Sequence, residues 1–240
     1  MKMYGGDNQI MDKDFFFRGC IFDFNGVIVD DFPLQQDAWS QMSLKLRGVS
    51  VTVDEMVHKI RGVPSKDTLK WMSKSDDEEY LKGLTKEKDV LTEELFNSSP
   101  LFCLNKGLEK FLDELKTYDI PRTIATSSSY GMFEFAFRQL KLSNWFKWEE
   151  IVCNDGSYPG KPAPDAYLFA VKKLGLKPQE CLVIEDAQSG IQSAFAARCK
   201  IVAINTDLVR LEELINMPGV IKGIKDFTEI SVEEIFGIQK

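Results

Sequence analysis

The chain has 240 residues, 44% of them hydrophobic and 28% charged, which is typical of a soluble globular protein. This length suits one large domain, or one domain with a smaller domain inserted in it. The net charge of -7 argues against a general binder of nucleic acid or of an anionic membrane, although it allows a local basic pocket. No apolar run approaches the roughly 20 residues that a transmembrane helix needs.

Residues 1–14 are polar and lack the apolar segment of a signal peptide, and residues 1–17 are predicted to form an N-terminal tail. The 5 cysteines are scattered, and no two of them form a CxxC motif. Reduced thiols in a cytoplasmic protein are therefore expected.

The first predicted strand is an apolar run that ends at Phe22 and presents Asp23 at its carboxyl end. Gly26 then lets the chain turn away. Ligands of open α/β sheets bind beyond the carboxyl ends of the strands, so Asp23 is a candidate functional residue.

Residues 33–99 contain helical patterns only. Helices are predicted, in chain order, over residues 34–46, 53–60, 66–72 and 76–96. Ser65 is expected to cap the third of these helices. The block is interpreted as a helical cap inserted after the first strand.

From residue 100 onward, strand patterns alternate with helix patterns. Strands are predicted over residues 122–126, 151–153, 181–184, 201–204 and 220–224, the last at an edge. Helices are predicted over residues 107–118, 129–140, 164–174, 187–197 and 208–215. Within the fourth helix, Phe195 is expected to face inward. Such alternation predicts an α/β fold, with a Rossmann-like parallel sheet covered by helices on both faces and built from residues 18–32 and 100–240.

Polar side chains stand at the ends of several predicted strands or in a loop before a helix. They are Asp23, Asn25, Thr126, Ser127, Ser128, Lys161, Glu185 and Asp186. Each has an ordinary structural alternative: Asp186 could cap the next helix, Glu185 could be solvated, and Lys161 could lie on the surface. Their joint position at one edge of a sheet favours a functional site.

The residue types indicate the chemistry of this site. Carboxylates without a histidine cluster suit a hard cation such as Mg²⁺. The hydroxyl of Thr126 and the ammonium of Lys161 suit the oxygens of a phosphoryl group. Asp23, beside both, is a candidate nucleophile.

Four stretches, in this order, resemble the motifs of the haloacid dehalogenase superfamily and of its β-phosphoglucomutase-like phosphatase branch. They are Asp23-Phe24-Asn25-Gly26-Val27, then Thr126 with Ser127 and Ser128, then Lys161-Pro162-Ala163-Pro164-Asp165, and last Glu185-Asp186-Ala187-Gln188-Ser189-Gly190-Ile191. The resemblance covers residues 18 to 225 approximately, and it fits a cap inserted after the first motif.

The resemblance implies a role for each matching residue. Asp23 would be the nucleophile, and Mg²⁺ would be held by Asp23, by the main-chain carbonyl of Asn25 and by Asp186, with Glu185 nearby. Thr126 and Lys161 would bind the transferring phosphoryl group. Substrate contacts would come from Trp39, Arg61, Gly62, Ser65, Lys66, Ser127 and Ser128. For Trp39, a place in the core of the cap is an equal alternative.

Asn25 departs from the pattern of the family. Phosphoryl-transferring members usually have an aspartate there, which acts as general acid and base, whereas an amide does not titrate. Loss of such a group typically costs about 10²–10⁴-fold in rate. Two explanations are open: an engineered substitution that traps a substrate or intermediate, or a natural residue of a slow enzyme or binding protein. Because the rest of the motifs matches an active enzyme, the sequence favours the engineered substitution.

A second departure concerns the substrate. A β-phosphoglucomutase has a cap arginine for a second phosphate, and the matching position here is Ser65, followed by Lys66. A histidine common in the mutase cap is replaced by Gln35, and His58 is expected to be structural or surface-facing. These differences favour a phosphatase over a mutase.

The sequence thus predicts a monomeric, cytoplasmic, Mg²⁺-dependent phosphohydrolase of a small phosphorylated metabolite such as a sugar phosphate. It would work through an aspartyl-phosphate on Asp23 and be slowed by Asn25. The alternatives are a hexose-phosphate mutase and a catalytically attenuated phosphometabolite-binding protein. Neither nucleic acid nor a membrane is expected as a partner.

Overall fold

The structure is a computed structural model, and it describes residues 17–154, 156–205 and 207–238. Of the predicted tail, residues 1–16 lie outside these ranges, while Phe17 is buried in the core. Among the helices described, none has the length and apolar character needed to cross a membrane.

Within the described residues, six parallel strands form one sheet in the order β3-β2-β1-β4-β5-β6. The strands are β1 (Gly19–Phe22), β2 (Arg122–Thr126), β3 (Val152–Cys153), β4 (Cys181–Glu185), β5 (Lys200–Ile204) and β6 (Val220–Ile224). The predicted parallel sheet is confirmed, and β6 lies at an edge as expected. The chain order reverses between β1 and β4, which is where α/β sheets bind ligands.

Helices follow or precede almost every strand. The α-helices are α1 (Phe32–Arg47), α2 (Val53–Glu55), α3 (Ser65–Ser73), α4 (Glu78–Ser98), α5 (Leu108–Thr117), α6 (Tyr130–Gln139), α7 (Asp165–Leu174), α8 (Gln188–Ala196), α9 (Leu208–Ile215) and α10 (Val232–Phe236). A π-helical turn, Met56–Ile60, follows α2, and short 3₁₀ turns span Leu142–Asn144, Trp148–Glu150, Pro178–Glu180 and Phe227–Glu229.

Each face of the sheet carries its own hydrophobic core. Phe22 and Ile124 point to the core that α5, α6 and α10 cover. Ile21 and Val183 point to the opposite core, which α7 and α8 cover. Because neighbouring residues of β1 enter opposite cores, this strand is buried on both faces, and its continuous apolar sequence follows from that position.

Helices α1 to α4 form an insertion between β1 and β2, and residues 33–99, all described, contain no strand. We call residues 33–99 the helical insertion. It has a separate hydrophobic core, in which Trp39, Met56 and Leu81 are buried together. The insertion therefore buries much of its apolar surface in its own core, while Leu34 and Phe96 pack against Met132 of α6.

Two local predictions are wrong. Ser65 is the first residue of α3 and its side chain caps nothing, because Pro64 occupies the N-cap position. Phe195 is 51% exposed, whereas Ile191 and Ala194 on the same helix are buried. One residue corresponds to about 100° of helical rotation, so Phe195 stands beyond the buried stripe.

Replacement of Phe22 by Ala is expected to lower the free energy of unfolding by about 3–5 kcal/mol, because it removes a fully buried ring from the centre of the sheet. That ring packs edge-on against Phe111 and Phe146, with centroids 6.3 and 5.8 Å away. Phe195→Ala, on the exposed side of α8, is the matched control. Urea unfolding measures both variants, and equal losses would contradict the burial described here.

Candidate active site

Three buried carboxylates meet where β1 and β4 end. They belong to Asp23, Glu185 and Asp186, and one oxygen of each lies within 4.8 Å of the others. Phe22 is paired with Ile184 in the parallel register, so the residues that follow each strand come together. The N–H of Asp23 also donates to the carbonyl of Ile184 at 3.0 Å. The predicted grouping at this edge is thus present.

Lys161 places its ammonium between two of these carboxylates. Its Nζ donates to Asp23 Oδ1 at 2.6 Å, to Glu185 Oε1 at 2.7 Å and to the Tyr167 hydroxyl at 3.0 Å. The side chain is fully buried, so the surface alternative for Lys161 is wrong. Burial raises the pKa of Asp23 to about 7, against the opposing charge of Lys161 and with the added repulsion of Glu185.

Glu185 and Asp186 have different partners although they are adjacent. Glu185 is buried, not solvated, and its Oε2 accepts the backbone N–H groups of Asp186 and Ala187 at 2.7 and 2.8 Å. A Cβ at Gly190 would collide with the Glu185 carboxylate, so a glycine is required at that position. Asp186 does not cap α8, because Ala187 is the N-cap residue. Its carboxylate faces the helical insertion instead.

A loop of the helical insertion reaches these carboxylates. The guanidinium of Arg61 contacts the carboxylate of Asp186. Two serines of the core hold the loop, since Ser189 Oγ donates to the Arg61 carbonyl at 2.9 Å and Ser127 Oγ to the Gly62 carbonyl at 2.8 Å. Gly62 has a φ of 72°, and a Cβ there would meet the Ser189 hydroxyl, so both observations favour glycine.

The donor set at the strand ends fits a hard divalent cation. It offers carboxylate oxygens from Asp23, Glu185 and Asp186 within one small volume, and no imidazole or thiolate is part of this cluster. Arg61 and Lys161 provide the positive charge that these carboxylates contact in the structure. A bound cation would share these oxygens with them.

Asn25 is hydrogen-bonded through both atoms of its amide. Its Oδ1 accepts from Ser128 Oγ at 2.8 Å, and its Nδ2 donates to Asp31 Oδ2 at 2.6 Å. Ser128 is itself fixed, because its backbone N–H donates to the hydroxyl of Thr126 at 3.0 Å. Thr126 is buried at the end of β2. These contacts link β2, the turn after β1 and α1.

Sequence reasoning missed Asp31 and Lys88, and it named Gln35 only as the replacement of a histidine of the mutase cap. Gln35 Nε2 donates to Asp31 Oδ2 at 2.8 Å, and Lys88 Nζ donates to Gln35 Oε1 at 3.1 Å. Burial raises the pKa of Asp31 and lowers the pKa of Lys88. Lys88 had a detectable signal, because it interrupts the buried stripe of α4 between Leu84 and Phe96. No comparable pattern marks Asp31.

A cavity between the strand ends and the helical insertion brings most of the predicted residues together. The predicted residues that line it are Asp23, Asn25, Trp39, Arg61, Gly62, Ser65, Ser127, Ser128 and Asp186. Asp31, Gln35 and Lys88 line it as well. Trp39 lies in both of the places considered for it: it lines the cavity and is also buried in the core of the insertion.

The remaining predicted residues lie around this cavity. Lys161, Glu185 and Thr126 are buried near the strand ends. Lys66 borders a separate, wider cleft and pairs with Glu78 at 2.5 Å. His58 is surface-facing as expected, 3.5 Å from Asp54.

Asn25→Asp is expected to destabilise the protein, because it places a second carboxylate against that of Asp31 and removes the Nδ2 donor. Leaving a buried acceptor without its donor costs about 1–3 kcal/mol. The exchanged variant Asn25→Asp/Asp31→Asn keeps one amide and one carboxylate, so most of this loss should be recovered. Urea unfolding at neutral pH tests both variants. If Asn25→Asp alone is as stable as the wild type, Asn25 and Asp31 are not energetically coupled.

Comparison with known proteins places this site in a family. Residues 17–198 match the model of haloacid dehalogenase-like hydrolases. Hexitol phosphatase A of Escherichia coli is 31% identical over 200 residues, which cover 82% of this chain and 88% of that protein. The phosphorylated carbohydrates phosphatase of Thermotoga maritima is 29% identical over 185 residues, covering 75% and 81%.

Solved structures of related proteins share the fold of this chain. A HAD hydrolase of family IA, variant 3, from Entamoeba histolytica superposes with a TM-score of 0.82 and 33% identity, covering 92% of this chain and 98% of that one. β-Phosphoglucomutase from Clostridium difficile shares the fold, with a TM-score of 0.76, 22% identity and coverage of 91% and 95%. The chain therefore belongs to the haloacid dehalogenase superfamily of hydrolases, as its four motifs predict.

Proposed function

We propose that this chain is a Mg²⁺-dependent phosphohydrolase of small phosphorylated metabolites, with Asp23 as the nucleophile. The observation that carries the proposal is the cluster of Asp23, Lys161, Glu185 and Asp186 at the strand ends, with Asp23 and Asp186 lining a cavity. Two relatives support small phosphorylated metabolites as the substrate class, since one is named a hexitol phosphatase and the other a phosphatase of phosphorylated carbohydrates. We propose that the helical insertion acts as a cap over this cavity.

The hydrogen bonds of Asp23 suit it to attack phosphorus. Lys161 donates to Oδ1 at 2.6 Å, which holds the carboxylate in place where Asp23 lines the cavity. Attack forms a bond from a carboxylate oxygen of Asp23 to phosphorus and breaks the P–O bond of the ester; the leaving alkoxide oxygen keeps the electron pair and takes a proton from solvent. Water then attacks the phosphorus of the aspartyl-phosphate, breaks its P–O bond to Asp23 and loses a proton to solvent, which releases inorganic phosphate and the free carboxylate.

The other residues of the cluster would offset the negative charge of the phosphoryl group. The ammonium of Lys161 and the hydroxyl of Thr126 would offset the negative charge of the phosphoryl oxygens. Mg²⁺, held by Asp23, Asp186 and the main-chain carbonyl of Asn25, with Glu185 nearby, would supply further positive charge at these oxygens when bound.

We propose that Asn25 limits turnover. Its amide cannot donate or accept the protons that formation and hydrolysis of the aspartyl-phosphate require. The amide nevertheless fits its surroundings, since both of its polar atoms are hydrogen-bonded. This fit supports a natural residue over an introduced one. A mutase is less well supported, because Ser65, at the position of the mutase arginine, carries no charge and Lys66 beside it is paired with Glu78.

The exchanged variant Asn25→Asp/Asp31→Asn is expected to hydrolyse phosphate esters about 10²–10⁴-fold faster than the wild type, because it has a titratable group at position 25 without a facing carboxylate. Released phosphate would be measured with Mg²⁺ on a panel of sugar, polyol and nucleotide monophosphates. Adding Asp23→Asn should abolish turnover. If no ester is hydrolysed faster than by that control, the phosphohydrolase proposal fails. If the wild type and the exchanged variant are equally fast, Asn25 is not limiting.

Mg²⁺ is expected to raise the melting temperature of the wild type, because it binds the folded carboxylate cluster and not the unfolded chain. Asp186→Asn should remove most of this shift, whereas Asp54→Asn, on the exposed surface of the insertion, should keep it. Differential scanning calorimetry with Mg²⁺ from zero to millimolar concentrations measures the shift. Equal shifts in all three proteins would place the cation elsewhere.

A further inference from the structure

Tyr167 is a buried side chain that the proposed chemistry does not use. It lies on α7 and is fully buried, with its ring in the core that α7 and α8 cover. Its hydroxyl accepts a hydrogen bond from Lys161 Nζ at 3.0 Å and donates one to Glu185 Oε1 at 3.0 Å. The hydroxyl therefore joins two residues of the reaction centre, although Tyr167 does not line the cavity.

The hydroxyl completes the hydrogen bonding of Lys161. An ammonium has three N–H donors. Those of Lys161 reach Asp23 Oδ1 at 2.6 Å, Glu185 Oε1 at 2.7 Å and the Tyr167 hydroxyl at 3.0 Å. Because the three N–H bonds diverge, three acceptors hold the ammonium in one orientation, whereas two acceptors leave a buried donor without a partner. Buried donors are rarely left unused, so the hydroxyl stabilises the observed orientation.

Glu185 is saturated in the same way. Each of its carboxylate oxygens has two lone pairs. Oε1 accepts from Lys161 and Tyr167, at 2.7 and 3.0 Å. Oε2 accepts from the backbone N–H groups of Asp186 and Ala187, at 2.7 and 2.8 Å. Four donors thus hold this carboxylate at the end of β4, which makes it a fixed support for Lys161.

The orientation of the proposed nucleophile depends on this support. Within the described ranges, Lys161 is the side chain that donates to the carboxylate of Asp23. A shift of the ammonium therefore turns the carboxylate that must face phosphorus. Misplacing a reacting group by about 1 Å can lower a rate about 10²-fold. Tyr167 acts on Asp23 through Lys161, without touching the nucleophile.

We propose that Tyr167 is a positioning residue, whose hydroxyl holds Lys161 and Glu185 in the arrangement that aligns Asp23 for attack on phosphorus. In this step a carboxylate oxygen of Asp23 bonds to phosphorus, the P–O bond to the leaving group breaks, and the leaving oxygen keeps the electron pair. Tyr167 neither gains nor loses a proton. The inference rests on the proposed function for the attack itself, whereas the arrangement of Lys161 is tested without a substrate.

Tyr167→Phe tests the inference, because it removes one oxygen and keeps the ring in the core. Tyr118→Phe is the matched control. The Tyr118 hydroxyl also donates to a glutamate at 3.0 Å, Glu233 Oε1, but between α5 and α10 and outside the carboxylate cluster. Both variants keep their aromatic packing, and differential scanning calorimetry checks that both are folded at the assay temperature.

The first measurement is the release of nitrophenolate from p-nitrophenyl phosphate in a single turnover, with Mg²⁺ and with protein in excess over the ester. Nitrophenolate leaves without taking up a proton, so Asn25 does not limit this step. Tyr167→Phe should lower the rate at saturating protein about 10–100-fold. The protein concentration that gives half of this rate should change by less than about twofold. Tyr118→Phe should match the wild type in both quantities.

The second measurement needs no substrate. NMR of protein labelled with ¹⁵N-lysine detects ammonium protons that exchange slowly with water, as those of a buried and hydrogen-bonded lysine do. Of the lysines in the described part of the chain, Lys88 and Lys161 are buried, and Lys88→Arg removes the signal of the first. Tyr167→Phe should speed the exchange of the Lys161 protons about tenfold or more, because one hydrogen bond of the ammonium is lost. Tyr118→Phe should leave this exchange unchanged.

An unchanged rate in Tyr167→Phe, or a loss confined to the half-saturating concentration, would overturn the proposal, since the hydroxyl would then support only the fold or phosphate binding. Equal losses in Tyr167→Phe and Tyr118→Phe would overturn it as well. If the wild type releases no more nitrophenolate than Asp23→Asn, the proposed function fails. The exchange of the Lys161 protons then decides alone, and equal exchange in the wild type and Tyr167→Phe would show that Tyr167 does not position Lys161.

Discussion

The buried ammonium of Lys161 is the interaction on which the arrangement of the site depends. Asp23 and Glu185 end neighbouring strands, and their two carboxylates would repel each other at this edge without a cation between them. Breaking a buried ion pair by removing one partner costs about 3–5 kcal/mol, because a charge is left uncompensated. Lys161 comes from the loop before α7, so three parts of the core must be folded before the carboxylates can sit together.

The helical insertion approaches the same carboxylates from the other side. Arg61 reaches Asp186 over a separation of 125 residues in the chain, and Ser127 and Ser189 hold the backbone of its loop. The insertion also lines the cavity, through Trp39 and Lys88. The cavity is thus lined by two different parts of the chain, which these hydrogen bonds and the apolar contact of Leu34 and Phe96 with Met132 hold together.

Much of the fold and of the reaction centre could be predicted from the sequence, because β–α alternation places strand ends at one edge whatever the details of packing. Asp23, Lys161 and Asp186 were found in this way. Contacts across the cavity could not be predicted in the same way, since they depend on how the insertion sits on the sheet. Asp31 belongs to this second group, because it is an ordinary charged residue in sequence and its burial beside Gln35 follows from packing. Lys88 interrupts the apolar stripe of α4, but its position at the cavity depends on the same packing.

The helical insertion has a hydrophobic core of its own, built around Trp39, Met56 and Leu81, that shares no buried residue with the cores of the sheet. Trp39 and Met56 belong to this small core and also line the cavity, so substitutions in it change the cavity wall without replacing a buried residue of β1 or β4. A lineage could therefore exchange one phosphorylated substrate for another through changes in α1 and α4, while the carboxylate cluster stays as it is. Residues of the insertion core can therefore vary in evolution, whereas the carboxylates at the ends of β1 and β4 must be kept.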